Sequence, residues 1–218
     1  MKIAIIGTGK VGTHLGRLFS LANHRVTMGS RDRQKADAVA AKIGNDVRGT
    51  TYKNAASDAE VIVIATPWKE NATVKAIQQL GDLSGKIVID CTNPLAPDFM
   101  SNTLGYTTSS SEEIAKLIPE ATVIKAFNTI FADVMQPEKQ TFEGYKGTGF
   151  YCGNDAEAKK IVARLIDDAG FEPVDAGKLE NARYLEPMAQ LNIQIAYGLG
   201  GGTDVAFRYM RRKAIAHN

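Results

Sequence analysis

Three observations predict a doubly wound α/β fold, a mostly parallel sheet with helices on both faces. Short apolar runs alternate with helical stripes along most of the chain. The first run, Lys2–Ile6, leads straight into Gly7, Gly9 and Gly12 in the spacing G-x-G-x-x-G. Val11, Leu15, Leu18 and Phe19 then repeat at i, i+4, i+7 and i+8, which is one face of a helix.

The remaining elements follow in order. Arg25 to Met28 reads as a second strand, and Ala36, Val39, Ala40 and Ile43 as the helix after it, stopped by Gly44 and Asn45. A short third strand is expected near Val47 to Tyr52. Val61 to Ala65 is a run buried on both faces, ending in Thr66-Pro67-Trp68. A helix is expected from about Glu70 to Leu80, then a strand from Lys86 to Asp90 ending in Cys91-Thr-Asn-Pro94. Leu95 to Ser110 reads as a long loop, a length that often carries function. Ser110 and Glu113 have capping-box spacing for a helix through Leu117. Thr122 to Ala126 is the sixth strand, followed by Phe127-Asn128-Thr129-Ile130. Gly147 to Cys152 and Phe171 to Asp175 read as further strands around a helix marked by Ala158, Ile161, Val162, Leu165, Ile166 and Ala169. The last stripe, Leu185, Met188, Leu191 and Ile195, is broken by Gly198, Gly200, Gly201 and Gly202 and resumes from Asp204 to Ala216. The domain reading is a Rossmann-type unit over 1–178, with a core of 1–131 extended by 147–175, and a short helical segment over 179–218.

The glycine motif has a physical meaning in this strand–turn–helix context. Gly7 lets the chain turn tightly off the strand, Gly9 carries no side chain to block a pyrophosphate, and Gly12 lets the helix pack close to the strand. The helix N-terminus offers free N–H groups and a positive dipole end. The expected ligand is a dinucleotide. At the end of the second strand an NAD site would place an acid for the ribose hydroxyl. Here the chain reads Met28-Gly29-Ser30-Arg31-Asp32-Arg33, followed by Lys35. A hydroxyl and several cations suit a 2′-phosphate, so NADP is expected. Asp32 is read as a helix N-cap.

Composition narrows the class. The chain has 218 residues, 44% of them apolar, enough for a sizeable core. A net charge of +2 without a basic block argues against nucleic acid as a partner. Only two cysteines occur, Cys91 and Cys152, both beside apolar runs and read as buried thiols. No zinc-type spacing is present, and no metal is expected. No run approaches the ~20 apolar residues of a membrane span, and the first strand is too short for a signal peptide. A soluble, cytoplasmic protein is expected.

Ligands of open parallel sheets lie outside the carboxyl ends of the strands. Three polar clusters fall there: Thr66-Pro67-Trp68, Thr92-Asn93-Pro94 and Phe127-Asn128-Thr129. They are assigned to the ribose and nicotinamide half of the cofactor, while Trp68 serves equally well as ordinary packing. No acid or base for a secondary alcohol stands out. His14, His24 and His217 are scattered, and Lys125 sits inside a strand. No catalytic residue is assigned. A second ring system that accepts hydride directly requires none, because flavins and deazaflavins carry their own redox chemistry.

Gly7-Thr-Gly-Lys-Val-Gly12, Gly29-Ser-Arg31, Ala65-Thr-Pro-Trp68 and Asp175-Ala-Gly-Lys-Leu-Glu-Asn-Ala-Arg183 resemble the NADPH:deazaflavin (coenzyme F420) oxidoreductases. Lys125-Ala-Phe-Asn-Thr-Ile130 resembles the NADPH domain of the Steap ferric reductases. The resemblance implies that Thr8, Gly9, Lys10, Val11, Ser30, Arg31 and Lys35 hold the pyrophosphate and 2′-phosphate. It implies that Thr66, Pro67, Asn93 and Asn128 line the nicotinamide end, and that two subunits pair through the C-terminal segment. The function expected is hydride transfer between NADP(H) and a flavin or F420-like co-substrate. The alternatives are an imine reductase of the pyrroline-5-carboxylate reductase type and a non-catalytic NADPH-sensing protein.

Overall fold

The computed structural model describes residues 1–212. In chain order the elements are β1 (Lys2–Ile6), α1 (Lys10–Leu21), β2 (Arg25–Ser30), α2 (Arg33–Ile43), β3 (Arg48–Thr51) and α3 (Tyr52–Ser57). Then come β4 (Val61–Ile64), α4 (Ala72–Ile77), β5 (Ile87–Asp90), α5 (Ser110–Leu117) and β6 (Thr122–Ala126). The hairpin β7 (Thr141–Phe142) and β8 (Tyr145–Lys146) precedes β9 (Thr148–Gly153), α6 (Ala156–Asp168), β10 (Glu172–Asp175) and α7 (Ala182–Ile193).

Eight strands form one sheet in the order β10-β9-β6-β5-β4-β1-β2-β3. The six strands β1 to β6 are mutually parallel, whereas β9 runs antiparallel to β6 and carries β10 parallel to itself. The Rossmann-type, mostly parallel sheet is therefore present. The order reverses between β1 and β4, so the crevice beside those two strands is the switch point where such sheets bind ligands.

Alternation along the strands explains the two apolar layers. Ile3, Ile5, Val61, Val63, Ile89 and Ile124 face α1, α2 and α6, where Leu15, Phe19, Ala36, Val162 and Ile166 complete the layer. Ala4, Ile6, Ile62, Ile64, Val88 and Val123 face α3, α4 and α5, meeting Ala55, Ile77 and Ile114.

The short third strand expected near Val47 to Tyr52 is β3, and α3, whose Tyr52, Ala55 and Ala56 are buried, follows it at once. Three expectations need correction. The helix expected over 70–80 is confined to α4, because Glu70 and Asn71 take positive φ of 56° and break the preceding turn. The cap of α5 is Ser109, whose Oγ accepts from the Glu112 N–H at 3.2 Å. Ser110 is buried in a polar network instead. After α7 comes one wide turn, Gln194–Gly198, and no helix forms over residues 204–212. Positive φ at Gly200 and Gly202 redirects the chain. The tail then lies along β9, with the Thr148 N–H donating to the Phe207 carbonyl at 2.8 Å and the Tyr209 N–H to Thr148 Oγ1 at 2.9 Å. Residues 213–216 of the expected helix lie outside the described residues.

Candidate functional site

The glycine turn has the geometry its spacing implies. Gly7 takes φ +125°, and a Cβ there would run into the Ala65 carbonyl. A Cβ on Gly12 would strike the Gly7 carbonyl, so the close packing of α1 on β1 needs that glycine. Gly9 differs: a Cβ built on it meets nothing within 4 Å. It is the N-cap of α1, with no side-chain cap and no acid in the first turn. The first-turn N–H groups of Lys10, Val11 and Gly12 have no intrahelical acceptor. Open space in front of free N–H groups at a positive helix end fits a phosphate. Thr8 and Val11 are half-buried around this opening, and Lys10 is exposed, with Nζ 3.8 Å from Asp133.

At the end of β2 the Gly7 N–H donates to the Gly29 carbonyl at 3.1 Å, which sets the glycine turn beside Ser30 and Arg31. Ser30 is buried, and its Oγ accepts from the Asp32 N–H at 3.3 Å. Asp32 caps α2, accepting from the Gln34 N–H at 2.9 Å and the Lys35 N–H at 3.4 Å. The single acid at this strand end is thus committed to the helix. Arg31 and Lys35 are exposed, and among the described residues neither forms an ion pair. Burial raises the Tyr52 phenol above its ordinary pKa, with the nearby Arg31 cation opposing it. Two free cations beside a capped acid fit a 2′-phosphate.

At the end of β4, Thr66 Oγ1 lies 3.0 Å from Thr73 Oγ1, which also donates to the Pro67 carbonyl at 3.1 Å. Pro67 is exposed. Trp68 is half-buried and packs on the layer beneath α4, so its packing role is visible. At the ends of β5 and β6, Asn93 and Asn128 are joined in both directions. Asn93 Nδ2 donates to the Asn128 carbonyl at 2.9 Å, and Asn128 Nδ2 donates to Asn93 Oδ1 at 3.0 Å. Phe127, buried with φ +63°, makes the turn that delivers Asn128.

Sequence reasoning missed the polar network beneath this edge. Lys125 Nζ lies 2.9 Å from Asp90 Oδ2 and 2.8 Å from Glu186 Oε1, and donates to the Thr92 carbonyl at 2.5 Å. Ser110 donates its N–H to Glu186, and Ser111 Oγ donates to Asp90 Oδ2 at 2.6 Å. Burial acts to lower the Lys125 pKa, but Asp90 and Glu186 outweigh it and hold it at about 12. Burial likewise acts to raise Asp90, yet the Lys125 charge and the bonds from Ser111, Lys125 and Thr92 bring it below its ordinary value. The signal was present: a lysine inside an apolar strand needs a buried carboxylate partner. Nearby, burial pushes the Cys152 thiol up to about 12 and holds Cys91 well above its ordinary range, so both stay protonated.

A cavity of about 510 Å³ opens at the same edge, lined by Leu95, Phe99, Met100, Phe131, Ile193 and Tyr197. A larger, polar concavity of about 1040 Å³ lies beside the amino ends of β1 and β2, away from the glycine turn. His24 belongs to that edge, with Nε2 3.0 Å from Asp168. His14 Nδ1 lies 2.6 Å from the Ala132 carbonyl. Among the described residues no cluster of His, Cys, Asp and Glu is placed to hold a metal ion, and no helix is long and apolar enough to cross a membrane.

Fold and turn together define a dinucleotide-binding protein of Rossmann type. The family model "NADP oxidoreductase coenzyme F420-dependent" matches residues 2–94. The F420-dependent NADP reductase of Methanocaldococcus jannaschii is 32% identical, over 88% of this chain and 91% of its own. The metalloreductase STEAP3 of Rattus norvegicus is 31% identical over 85% of this chain, which spans only 36% of that longer protein. A solved structure provisionally assigned as an F420-dependent NADP reductase, from Arthrobacter sp. FB24, superposes with a TM-score of 0.85 at 30% identity, over 97% of this chain and 100% of that one. The chain belongs to the F420-dependent NADP reductase family, and it is an NADP-dependent oxidoreductase.

Proposed function

We propose that the chain moves hydride between NADP(H) and the deazaflavin coenzyme F420 or a related flavin, working in the cytoplasm as a homodimer. The observation that carries the reading is the β2 end, where Arg31 and Lys35 form no ion pair among the described residues while Asp32 caps α2. It joins the names of the relatives, which are F420-dependent NADP reductases. Bound together, the nicotinamide and the acceptor ring supply the hydride chemistry themselves.

The chain's residues have the work of binding and orientation. The N–H groups of α1 and the space over Gly9 receive the pyrophosphate, with Thr8, Lys10 and Val11 around it. Arg31, Lys35 and Ser30 hold the 2′-phosphate. Thr66, Pro67, Trp68, Asn93 and Asn128 line the nicotinamide end. The apolar walls of Phe99, Phe131 and Tyr197 suit a flat acceptor ring and exclude water from it. Of the second functional part proposed over 179–218, Ile193 and Tyr197 stand on this acceptor side, behind the dinucleotide unit over 1–178. No residue is assigned as acid or base.

Turnover of NADPH with F420, FMN, FAD and riboflavin as separate acceptors tests the reading. Fast oxidation with F420 or a flavin is expected. NADPH that binds but is oxidised by none of them would leave a binding protein and end the proposal.

A further inference from the structure

We propose that the acceptor this chain favours is an uncharged planar ring, and that Asp98 at the cavity disfavours a ring with a phosphate-bearing tail. The inference rests on the acceptor reading above and selects among the acceptors named there.

The two ends of the site are built from opposite materials. The β2 end presents Arg31 and Lys35, the residue types a phosphate requires. The cavity at the carboxyl edge takes its lining from three stretches of chain, within residues 95–109, 127–136 and 187–203. These stretches contain no Lys, Arg or His, and their only charged residues are Asp98 and Asp133. Asp133 is engaged: it accepts from Thr203 Oγ1 at 2.6 Å and lies 3.8 Å from Lys10 Nζ. Among the described residues, Asp98 is the one charged residue that lines the cavity, and it is exposed.

The chain itself braces the cavity's shape. Asp98 Oδ1 accepts from the Met100 N–H at 2.9 Å and from Ser101 Oγ at 3.3 Å, a turn that presents Phe99 and Met100. Phe99 takes φ +59° there and is 54% exposed. Gln194 Nε2 donates to the Met100 carbonyl at 3.0 Å, which ties the turn after α7 to this loop. Phe131 and Tyr197 meet edge to face with ring centroids 6.2 Å apart.

About 510 Å³ walled by aromatic and aliphatic side chains suits a flat apolar ring. A tail is a different matter. The phosphate of FMN, or the phosphodiester and carboxylates of the F420 side chain, would bring negative charge to an edge that offers a carboxylate and no cation. Like charges repel there, and an unpaired phosphate loses water without compensation. Riboflavin, and the F420 ring core without its charged side chain, carry the same rings without either cost.

Steady-state kinetics at saturating NADPH tests this, with riboflavin set against FMN. The two share one ring, so the comparison reads the tail. At about 10 mM ionic strength screening reaches about 30 Å, and KM for riboflavin should be about threefold to thirtyfold below that for FMN, with kcat alike. At about 1 M screening reaches only about 3 Å, and the gap should close to within about twofold. Asp98→Asn keeps the oxygen that accepts from Met100 and Ser101 but removes the charge. It should narrow the low-salt gap by about threefold or more, through the KM of FMN. A wild type that takes FMN as well as riboflavin at low salt, or a gap that either added salt or Asp98→Asn leaves unchanged, overturns this inference and leaves the acceptor reading standing. NADPH that binds but is oxidised by none of the acceptors overturns the acceptor reading and this inference with it.

Discussion

Asn128 and Glu186 are linked through one peptide unit. The Asn128 amide donates to the Leu185 carbonyl at 3.0 Å, and the next side chain, Glu186, lies 2.8 Å from Lys125 Nζ. Helix α7 is thus pinned by a buried charge beside the carbonyl that orients a site residue. The pin also reaches β5 through Asp90 and α5 through Ser110.

Removing the cation should be costly. Lys125→Met would leave Asp90 and Glu186 buried without a counter-charge, and breaking a buried pair this way costs about 3–5 kcal/mol. Denaturant unfolding should show that loss. The triple variant Lys125→Met, Asp90→Asn, Glu186→Gln should recover part of it, because it removes the stranded charges as well. A single variant within about 1 kcal/mol of wild type would show that the network contributes little.

This network and the Glu112–Arg183 pair set the limits of pH stability. The Arg183 hydrogen bonds hold Glu112 below its ordinary carboxylate value, and Asp90 is held low despite its burial. Depressed carboxylates contribute fully above their unfolded pKa, and the contribution is lost as pH falls through the folded value. Lys125 is raised to about 12 from 10.5, so its contribution is intact below 10.5 and lost as pH rises toward 12. A plateau with an acid and an alkaline fall is expected in Tm against pH. Glu112→Gln should lower the plateau and make the acid fall shallower. An unchanged acid slope would remove Glu112 from the account.

Cofactor choice is tested at β2. Arg31→Ala should weaken NADPH binding about tenfold to a hundredfold, from the loss of about 1.5–3 kcal/mol in a charge-assisted hydrogen bond. NADH binding should change little, since NADH carries no 2′-phosphate. Equal weakening of both cofactors in a binding titration would sink the assignment.

The phosphate turn allows a cleaner substitution than most glycine motifs. Gly9 has φ −78°, which valine tolerates, and a Cβ there meets nothing. Gly9→Val should therefore fold normally by circular dichroism, yet bind neither NADPH nor NADH, because the new side chain fills the space in front of α1. Gly7→Val and Gly12→Val should instead damage the fold, at the Ala65 and Gly7 carbonyls. Near-native affinity in Gly9→Val would make the motif structural only.

The dinucleotide half of the molecule was legible because its signals are local. The run Lys2–Ile6, the three glycines and the capping Asp32 each act within a few residues. The Lys125 network was not legible, since Asp90, Ser110 and Glu186 meet only through tertiary packing across 15 to 61 residues from Lys125. The C-terminal helix was misplaced for a related reason. Periodicity over 204–216 suggested a helix, but the described part of that segment finds its hydrogen bonds on β9.

The last expectation concerns assembly. Of the stripe Leu185, Met188, Leu191 and Ile195, only the first is buried in the single chain. Leu191 is 53% exposed, and Leu199, just past the wide turn, is 82% exposed. Tyr184 and Tyr197 are exposed beside them. Apolar side chains grouped on one helix and its following turn commonly mark an interface. Truncation at residue 196 is a poor test, because Tyr209 packs edge-on against Phe150 and Thr203 Oγ1 donates to Asp133 at 2.6 Å, so deletion would also strip contacts within the chain. Leu191→Lys places a charge in the proposed interface without touching the dinucleotide turn. It should convert a dimer to a monomer in light scattering and leave NADPH affinity within about twofold. Acceptor turnover should fall if the paired helices close the cavity at Ile193 and Tyr197. A wild type that sediments as a monomer, or a Leu191→Lys variant that remains a dimer, would remove the homodimer from the account.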